Sequence, residues 1–163
     1  MVREIQPNTI IHLAALLSAT AEKNLEKAYQ VNVLGVSNAF DVALATKSKI
    51  FIPSTIAAFG PNIPRENTPD DVILQPSTVY GVAKVYTELM GNYYNKNYNL
   101  DFRSLRYPGA VSSDPPGGGT TDYAVEIFFE LIKHKTYECF LSKNTMLPMM
   151  YIDDLIRGTV FYT

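Results

Sequence analysis

The 163-residue chain has one cysteine, two histidines and no excess of either charge: 14 Lys and Arg stand against 16 Asp and Glu, a formal net charge of -2. The lone Cys139 excludes an intrachain disulfide and a multi-cysteine zinc site, and only His12 and His134 could add imidazole ligands. No structural metal is expected. The balanced charge offers no basic face for nucleic-acid phosphates or anionic lipid, so neither is expected as a partner. No apolar run approaches the roughly 20 residues of a membrane span, and the start Met1-Val2-Arg3-Glu4-Ile5-Gln6-Pro7 has no signal-peptide core. A soluble chain is expected. What is present, 47% hydrophobic and 18% charged residues, suffices for a packed core.

Strand-like and helix-like segments alternate. Thr9-Ile10-Ile11-His12-Leu13 is a β-branched apolar run ending at Ala14-Ala15. From Asn24 to Ala45 the residues Leu25, Ala28, Val31, Val42 and Ala43 recur at helical spacing, which predicts one amphipathic helix. Lys49 to Thr55 reads as a buried strand with a hydroxylic end, and Phe59-Gly60-Pro61-Asn62-Ile63-Pro64 forces a loop. Ser77 or Thr78 can cap a long helix carrying Val79, Ala83, Tyr86, Met90 and Tyr93. Asp101 to Tyr107 is a strand stopped by Pro108-Gly109, and a helix is expected from Asp122 to His134. The alternation in Tyr137-Glu138-Cys139-Phe140-Leu141 predicts a strand with Cys139 buried. A last helix, capped by Asp153 or Asp154, follows Leu147 to Ile152. This order implies an α/β fold whose parallel sheet is covered on both faces, with ligands at the carboxyl ends of the strands. Those ends carry Leu13-Ala14-Ala15, Pro53-Ser54-Thr55 and Tyr107-Pro108-Gly109, none of them a charge cluster, which suits an organic cofactor better than a metal.

The sharpest chemical signal is Tyr80-Gly81-Val82-Ala83-Lys84. Residues four apart share a helix face, so an ammonium can sit beside a phenol and hold its pKa down, making a proton acceptor. Tyrosine and lysine also meet at this spacing by chance, and the hydroxylic strand end Ser54-Thr55, one crossover upstream, is the corroborating feature.

Together these residues resemble the extended short-chain dehydrogenase/reductase superfamily, whose fold is a Rossmann-like, doubly wound parallel sheet. Ile11-His12-Leu13-Ala14-Ala15 is similar to its fourth strand and Asn32-Val33-Leu34-Gly35 to its Asn-Val-x-Gly helix motif. Ser54-Thr55-Ile56-Ala57-Ala58-Phe59-Gly60 resembles its Ser-Ser-x-x-x-Tyr-Gly segment, and Arg106-Tyr107-Pro108-Gly109 its strand end at the nicotinamide. Within the superfamily, the run Pro115 to Val125, with Gly117-Gly118-Gly119-Thr120-Thr121-Asp122 at its centre, and Leu147-Pro148-Met149-Met150-Tyr151 resemble the short-chain type of L-threonine 3-dehydrogenases.

The resemblance implies oxidation of L-threonine by NAD+ to 2-amino-3-ketobutyrate. It makes Tyr80 the proton acceptor, Lys84 the partner of Tyr80 and of the nicotinamide ribose, and Thr55 the donor to the substrate oxygen. Leu13, Ala14, Ala15, Asn32, Tyr107 and Pro108 would border the cofactor, with Asn32 ordering water or backbone. Ser54 would be a substrate contact, and Ser18 is either another or a helix cap. Thr120 and Thr121, aided by free helix N-terminal N–H groups, would hold the substrate carboxylate; a flexible Gly-rich loop with threonine caps is the plainer alternative. A homodimer through the Tyr80–Lys84 helix is also implied.

One feature departs from the superfamily. None of the nine glycines forms the Gly-x-x-Gly-x-x-Gly turn that cradles a pyrophosphate. At least one βαβ unit, on the order of 50 residues, is expected ahead of this chain. Residues 1–112 would then be the C-terminal part of an NAD-binding domain and 113–163 part of a substrate-binding region. Cytoplasm and mitochondrion both stay open as compartments. Two alternatives remain: a sugar-nucleotide epimerase or dehydratase of the same superfamily, and a non-catalytic remnant of the fold.

Overall fold

Short β-branched and aromatic runs form the strands, and the longer segments between them supply the helices that parallel neighbours require as crossovers. The computed structural model describes residues 2–163. In chain order these form α1 (Val2–Ile5), β1 (Thr9–Ile11), α2 (Ser18–Lys23), α3 (Leu25–Tyr29), α4 (Gly35–Thr46), β2 (Lys49–Phe51), β3 (Ser54–Thr55) and α5 (Val79–Tyr98). The second half adds β4 (Phe102–Arg103), β5 (Arg106–Tyr107), β6 (Gly109–Val111), α6 (Tyr123–His134), β7 (Met149–Tyr151) and α7 (Ile152–Tyr162). Strand neighbours run β1-β2-β4, β3-β5 and β6-β7, and each of these pairings is parallel. The α/β architecture expected from the sequence is the one observed.

Strands β2 and β3 are two parts of one extended run, as are β4 and β5. The N–H groups of Ile50, Ile52 and Ser54 donate to the carbonyls of Asp101, Arg103 and Leu105 at 2.9, 3.1 and 2.9 Å. Pro53 falls between two donors, where this ladder needs no N–H, so the proline does not interrupt it. The run delivers Ser54 and Thr55 to the carboxyl end of the sheet.

The helix expected over Asn24 to Ala45 is interrupted. Asn24 ends α2 and caps α3, its side chain accepting from the Lys27 N–H at 3.0 Å. Residues Gln30–Leu34 then form a π-helical turn before α4 begins. Helical periodicity is blind to the one extra residue in such a turn, and π turns recur at functional sites. This one carries Asn32.

The core lies between α4, α5 and the sheet, where Val36, Phe40, Ala43, Ile50, Ile52 and Leu100 are buried. Phe40 stacks on Tyr94 with ring centroids 5.1 Å apart and meets the edge of Phe102 at 5.5 Å. Helix α5 comes so close to β4 that a Cβ built on Gly91 would lie 2.2 Å from the Phe102 ring.

The strand expected around Cys139 does not form, and Cys139 is exposed rather than buried. Its alternating neighbours are held by a helix: Tyr137 donates to Glu126 of α6 at 3.1 Å, and Phe140 meets Tyr123 edge-on at 6.2 Å. Alternation without a neighbouring strand does not make a strand. Asp153 and Asp154 lie in the first turn of α7, because β7 runs directly into that helix and Tyr151 takes the cap position. Among the described residues, no helix is long and apolar enough to cross a membrane.

The α5–β4 contact leaves no room for even one methyl group. Gly91→Ala is expected to lower stability by about 1–3 kcal/mol through overpacking, read as a reduced midpoint in thermal or urea unfolding. An unchanged midpoint would show that the Phe102 ring yields freely.

Candidate active site

Ser54 and Thr55 at the end of β3 both border one cleft, but strand alternation turns their side chains opposite ways. Thr55 is the one whose hydroxyl lies on the Tyr80 side. Its hydroxyl accepts from the Ala57 N–H at 3.1 Å, capping a single 3-10 turn (Ile56–Ala58), and lies near enough to the phenol of Tyr80 to pull its pKa down. Ser54 is buried with its hydroxyl turned away, donating to the Glu88 carboxylate. Ser54 borders the cleft, and its hydroxyl is already engaged by Glu88.

Tyr80 reaches Thr55 because α5 starts directly on that turn. Thr78 caps the helix by accepting from the Gly81 N–H at 3.0 Å, and Glu22 accepts from the Val79 N–H at 2.6 Å. A Cβ built on Gly81 would stand 2.3 Å from the Ala57 carbonyl oxygen and 2.7 Å from Cβ of Pro76, so only glycine permits this approach. One turn further on, Lys84 is 7% exposed and donates from Nζ to the Pro53 carbonyl at 2.6 Å. Its Nζ lies 5.6 Å from the centroid of the Tyr80 ring.

Burial dominates the electrostatics. It lowers the Lys84 pKa to about 8. It also raises the Tyr80 pKa, against the opposing pull of the Thr55 hydroxyl. The lowered phenol pKa that spacing alone suggests is thus outweighed here by desolvation, since both neutral forms are favoured away from water. His12, at the end of β1, is held below its ordinary pKa first by burial and then by the Lys84 charge. Its Nε2 is buried without a hydrogen-bond partner among the described residues.

These groups open into a cleft of about 710 Å3. Leu13, Ala15 and Ser18 line it from the end of β1, Tyr107 and Pro108 from the end of β5, and Thr120 and Thr121 from the Gly-rich loop. Ala14 and Asn32 are absent from the lining. Asn32 is buried in the π-helical turn, where its carboxamide oxygen accepts from the Leu16 N–H at 2.8 Å and its nitrogen donates to the Leu16 carbonyl at 2.9 Å. It acts on backbone, fixing the segment between β1 and Ser18. Of its two expected roles, Ser18 caps nothing in α2. Its hydroxyl instead accepts from the Thr120 N–H at 3.1 Å and lies 3.4 Å from the Thr120 hydroxyl, closing a link across 102 residues.

Within the Gly-rich loop, ahead of the helix start, two N–H groups share one carboxylate. Asp122 Oδ2 accepts from Gly118 and Gly119 at 2.7 and 2.8 Å. Asp122 and Glu88 are the two polar residues that motif reading passed over. Asp122 follows Thr121 directly as an acidic residue at the start of a helix. Glu88 is four residues past Lys84 and eight past Tyr80, on the same helix face.

Comparison with known proteins agrees with this geometry. The bovine (Bos taurus) protein named L-threonine 3-dehydrogenase, mitochondrial, is 54% identical over 164 residues, covering 98% of this chain and 44% of that protein. The crystal structure of L-threonine dehydrogenase from Phytophthora infestans superposes with a TM-score of 0.94 at 50% identity, covering 98% of this chain and 52% of that one. A monomeric L-threonine 3-dehydrogenase from a metagenome superposes with a TM-score of 0.93 at 47% identity, covering 98% and 52% respectively. The chain thus spans about half the length of the relatives it matches. Its sequence matches the NAD dependent epimerase/dehydratase family over residues 1–163, and the chain belongs to that family.

Proposed function

We propose that this chain carries the proton-transfer and substrate-binding part of an NAD-dependent oxidoreductase that oxidises the β-hydroxyl of L-threonine to the ketone, giving 2-amino-3-ketobutyrate. The observation that carries the reading is the meeting of Thr55, Tyr80 and Lys84 with the Ser18–Thr120 link in one cleft. The comparison with threonine dehydrogenases supports it over the sugar-nucleotide alternative.

The residues present suit the nicotinamide-ribose half of the cofactor. Lys84 has three N–H donors, of which the Pro53 carbonyl takes one, so two remain for ribose hydroxyls. Leu13, Ala15, Tyr107 and Pro108 supply the mostly apolar walls that a planar ring requires. When bound, the nicotinamide supplies a hydride acceptor for the hydrogen on the substrate Cβ. Thr55 orients the substrate hydroxyl, and the Tyr80 phenolate oxygen takes its proton as the C–O bond becomes a carbonyl. Lys84 in its charged form favours that phenolate. Thr120 and Thr121 donate hydroxyl hydrogen bonds to the substrate carboxylate, and Ser18 holds Thr120 in place.

The outer face of α5 supports a second copy of the chain as partner. Val82, Leu89 and Tyr93 lie along it at 56%, 63% and 50% exposure, an apolar stripe on the helix that carries Tyr80. Leu89→Glu is expected to turn a dimer into a monomer in sedimentation. An unmodified chain that sediments as a monomer rejects this contact.

Tyr80→Phe is expected to reduce L-threonine-dependent NADH formation by about 10²–10⁴-fold, with NAD+ affinity unchanged. Ordinary turnover by that variant, or turnover of a UDP-sugar in preference to L-threonine, would refute the reading. Replacing Thr120 and Thr121 together by Val should raise KM for L-threonine and leave the nicotinamide contacts intact.

Lys84 offers a test independent of turnover. In lysine-labelled NMR its Cε resonance, assigned by its loss in Lys84→Arg, should titrate near pH 8. The unfolded chain keeps the ordinary 10.5, so between those values it binds more protons than the folded one, and stability from this group rises as pH increases. The stability difference between the unmodified chain and Lys84→Met should therefore shift in favour of lysine across that window. A Lys84 midpoint at the ordinary value would contradict its burial.

A further inference from the structure

Two chain neighbours of the groups around Tyr80 and Lys84, Ser54 and Arg106, converge on one carboxylate. Glu88 of α5 accepts a hydrogen bond from Ser54 of β3 and pairs with Arg106 of β5, whose Nε and Nη2 lie 3.0 and 2.7 Å from its two oxygens. The pair is largely shielded, the side chains being 13% and 23% exposed. Arg106 is fixed on its other sides, donating from Nη1 to the Asp70 carbonyl at 3.0 Å and lying 4.9 Å over the Phe59 ring.

Each partner in this cluster is a chain neighbour of a cleft residue. Ser54 sits between Pro53, whose carbonyl holds Lys84, and Thr55, which meets Tyr80. Arg106 precedes Tyr107 and Pro108, which form the far wall. Glu88 is one helical turn beyond Lys84. A side chain that ties β3, β5 and α5 together at this level sets how the three groups of cleft residues stand relative to one another. Bidentate Arg–carboxylate geometry is well suited to such a task, because two parallel bonds fix orientation as well as distance.

We propose that Glu88 is a positioning residue for the reacting groups: its carboxylate, shared between Ser54 and Arg106, fixes the placement of Thr55 and of the Pro53 carbonyl against Tyr80 and Lys84. The proposal rests on the assignment of Tyr80, Lys84 and Thr55 to proton transfer. It makes a claim about turnover and a claim about local order, which are measured separately.

The test compares the full chain with Glu88→Gln, which keeps the side-chain size but loses the charge, and with Ser54→Ala, which leaves the ion pair intact and avoids stranding a buried guanidinium. Amide hydrogen exchange reads the local order. In both variants the Ser54 and Ala57 amides should exchange about tenfold faster, while the Ile50 amide in the core strand keeps its rate. Turnover of L-threonine per folded molecule should fall on the order of 10–100-fold in kcat, with KM changed by less than about twofold. A KM increase with kcat intact would make Ser54 a substrate contact and overturn the proposal. So would unchanged exchange at Ser54 and Ala57, or a uniform acceleration that includes Ile50. If a protein that joins this chain to a nucleotide-binding unit does not oxidise L-threonine, the functional reading fails, and the exchange arm still decides whether Glu88 orders this segment.

Discussion

The close approach of α5 to the turn after β3 is the constraint on which the site depends. At the Gly81–Ala57 contact the two backbones meet with no space for a side chain. That contact places Tyr80 beside Thr55, and one turn later it brings Lys84 to the Pro53 carbonyl. Moving the helix outward by the width of a methyl group would separate all three groups at once. Near-attack geometry tolerates little displacement, so the proposed proton transfer depends on the absence of a Cβ at position 81 as much as on the phenol at position 80.

The same closeness creates the electrostatic tension within the site. Burial drives Tyr80 and Lys84 toward their neutral forms, up for the phenol and down to about 8 for the amine. A pair built for proton transfer needs the opposite states, phenolate and ammonium. Their mutual attraction within a shielded site offsets part of the desolvation cost of each, and the Thr55 hydroxyl lowers the phenol further. Phenolate with ammonium and phenol with amine carry the same number of protons, so the balance between them is set by the surroundings and not by pH.

Much of this was legible in the sequence, for a physical reason. Strand ends, helix faces and four-residue spacing are local properties, so the parallel order, Tyr80 with Lys84, and the strand end at Thr55 could be read directly. What escaped depends on partners far along the chain. Ser54 and Thr55 are equivalent as residue types, and strand alternation says only that their side chains point opposite ways; the neighbour Glu88 decides which hydroxyl is engaged away from Tyr80. The interrupted helix at Asn24 and Gln30–Leu34 escaped because periodicity averages over the single residues that break it. Cys139 was misplaced because alternation is a necessary sign of a strand and the pairing that completes one lies elsewhere.

The Gly-rich loop shows how the two parts of the cleft become one. The N–H groups of Gly118, Gly119 and Thr120 are held by Asp122 and Ser18, so this part of the loop is ordered by the chain itself. Preordering removes an entropy cost that a small ligand, with few contacts to offer, could not easily offset. Ser18 is itself steadied through Leu16 by Asn32, whose carboxamide bonds backbone on both sides. The π-helical turn, the segment after β1 and the Gly-rich loop thus form one hydrogen-bonded series leading to Thr120. A polar residue buried within a helix, costly if left unpaired, is retained here because its two bonds transmit the position of the sheet to the loop that closes over it.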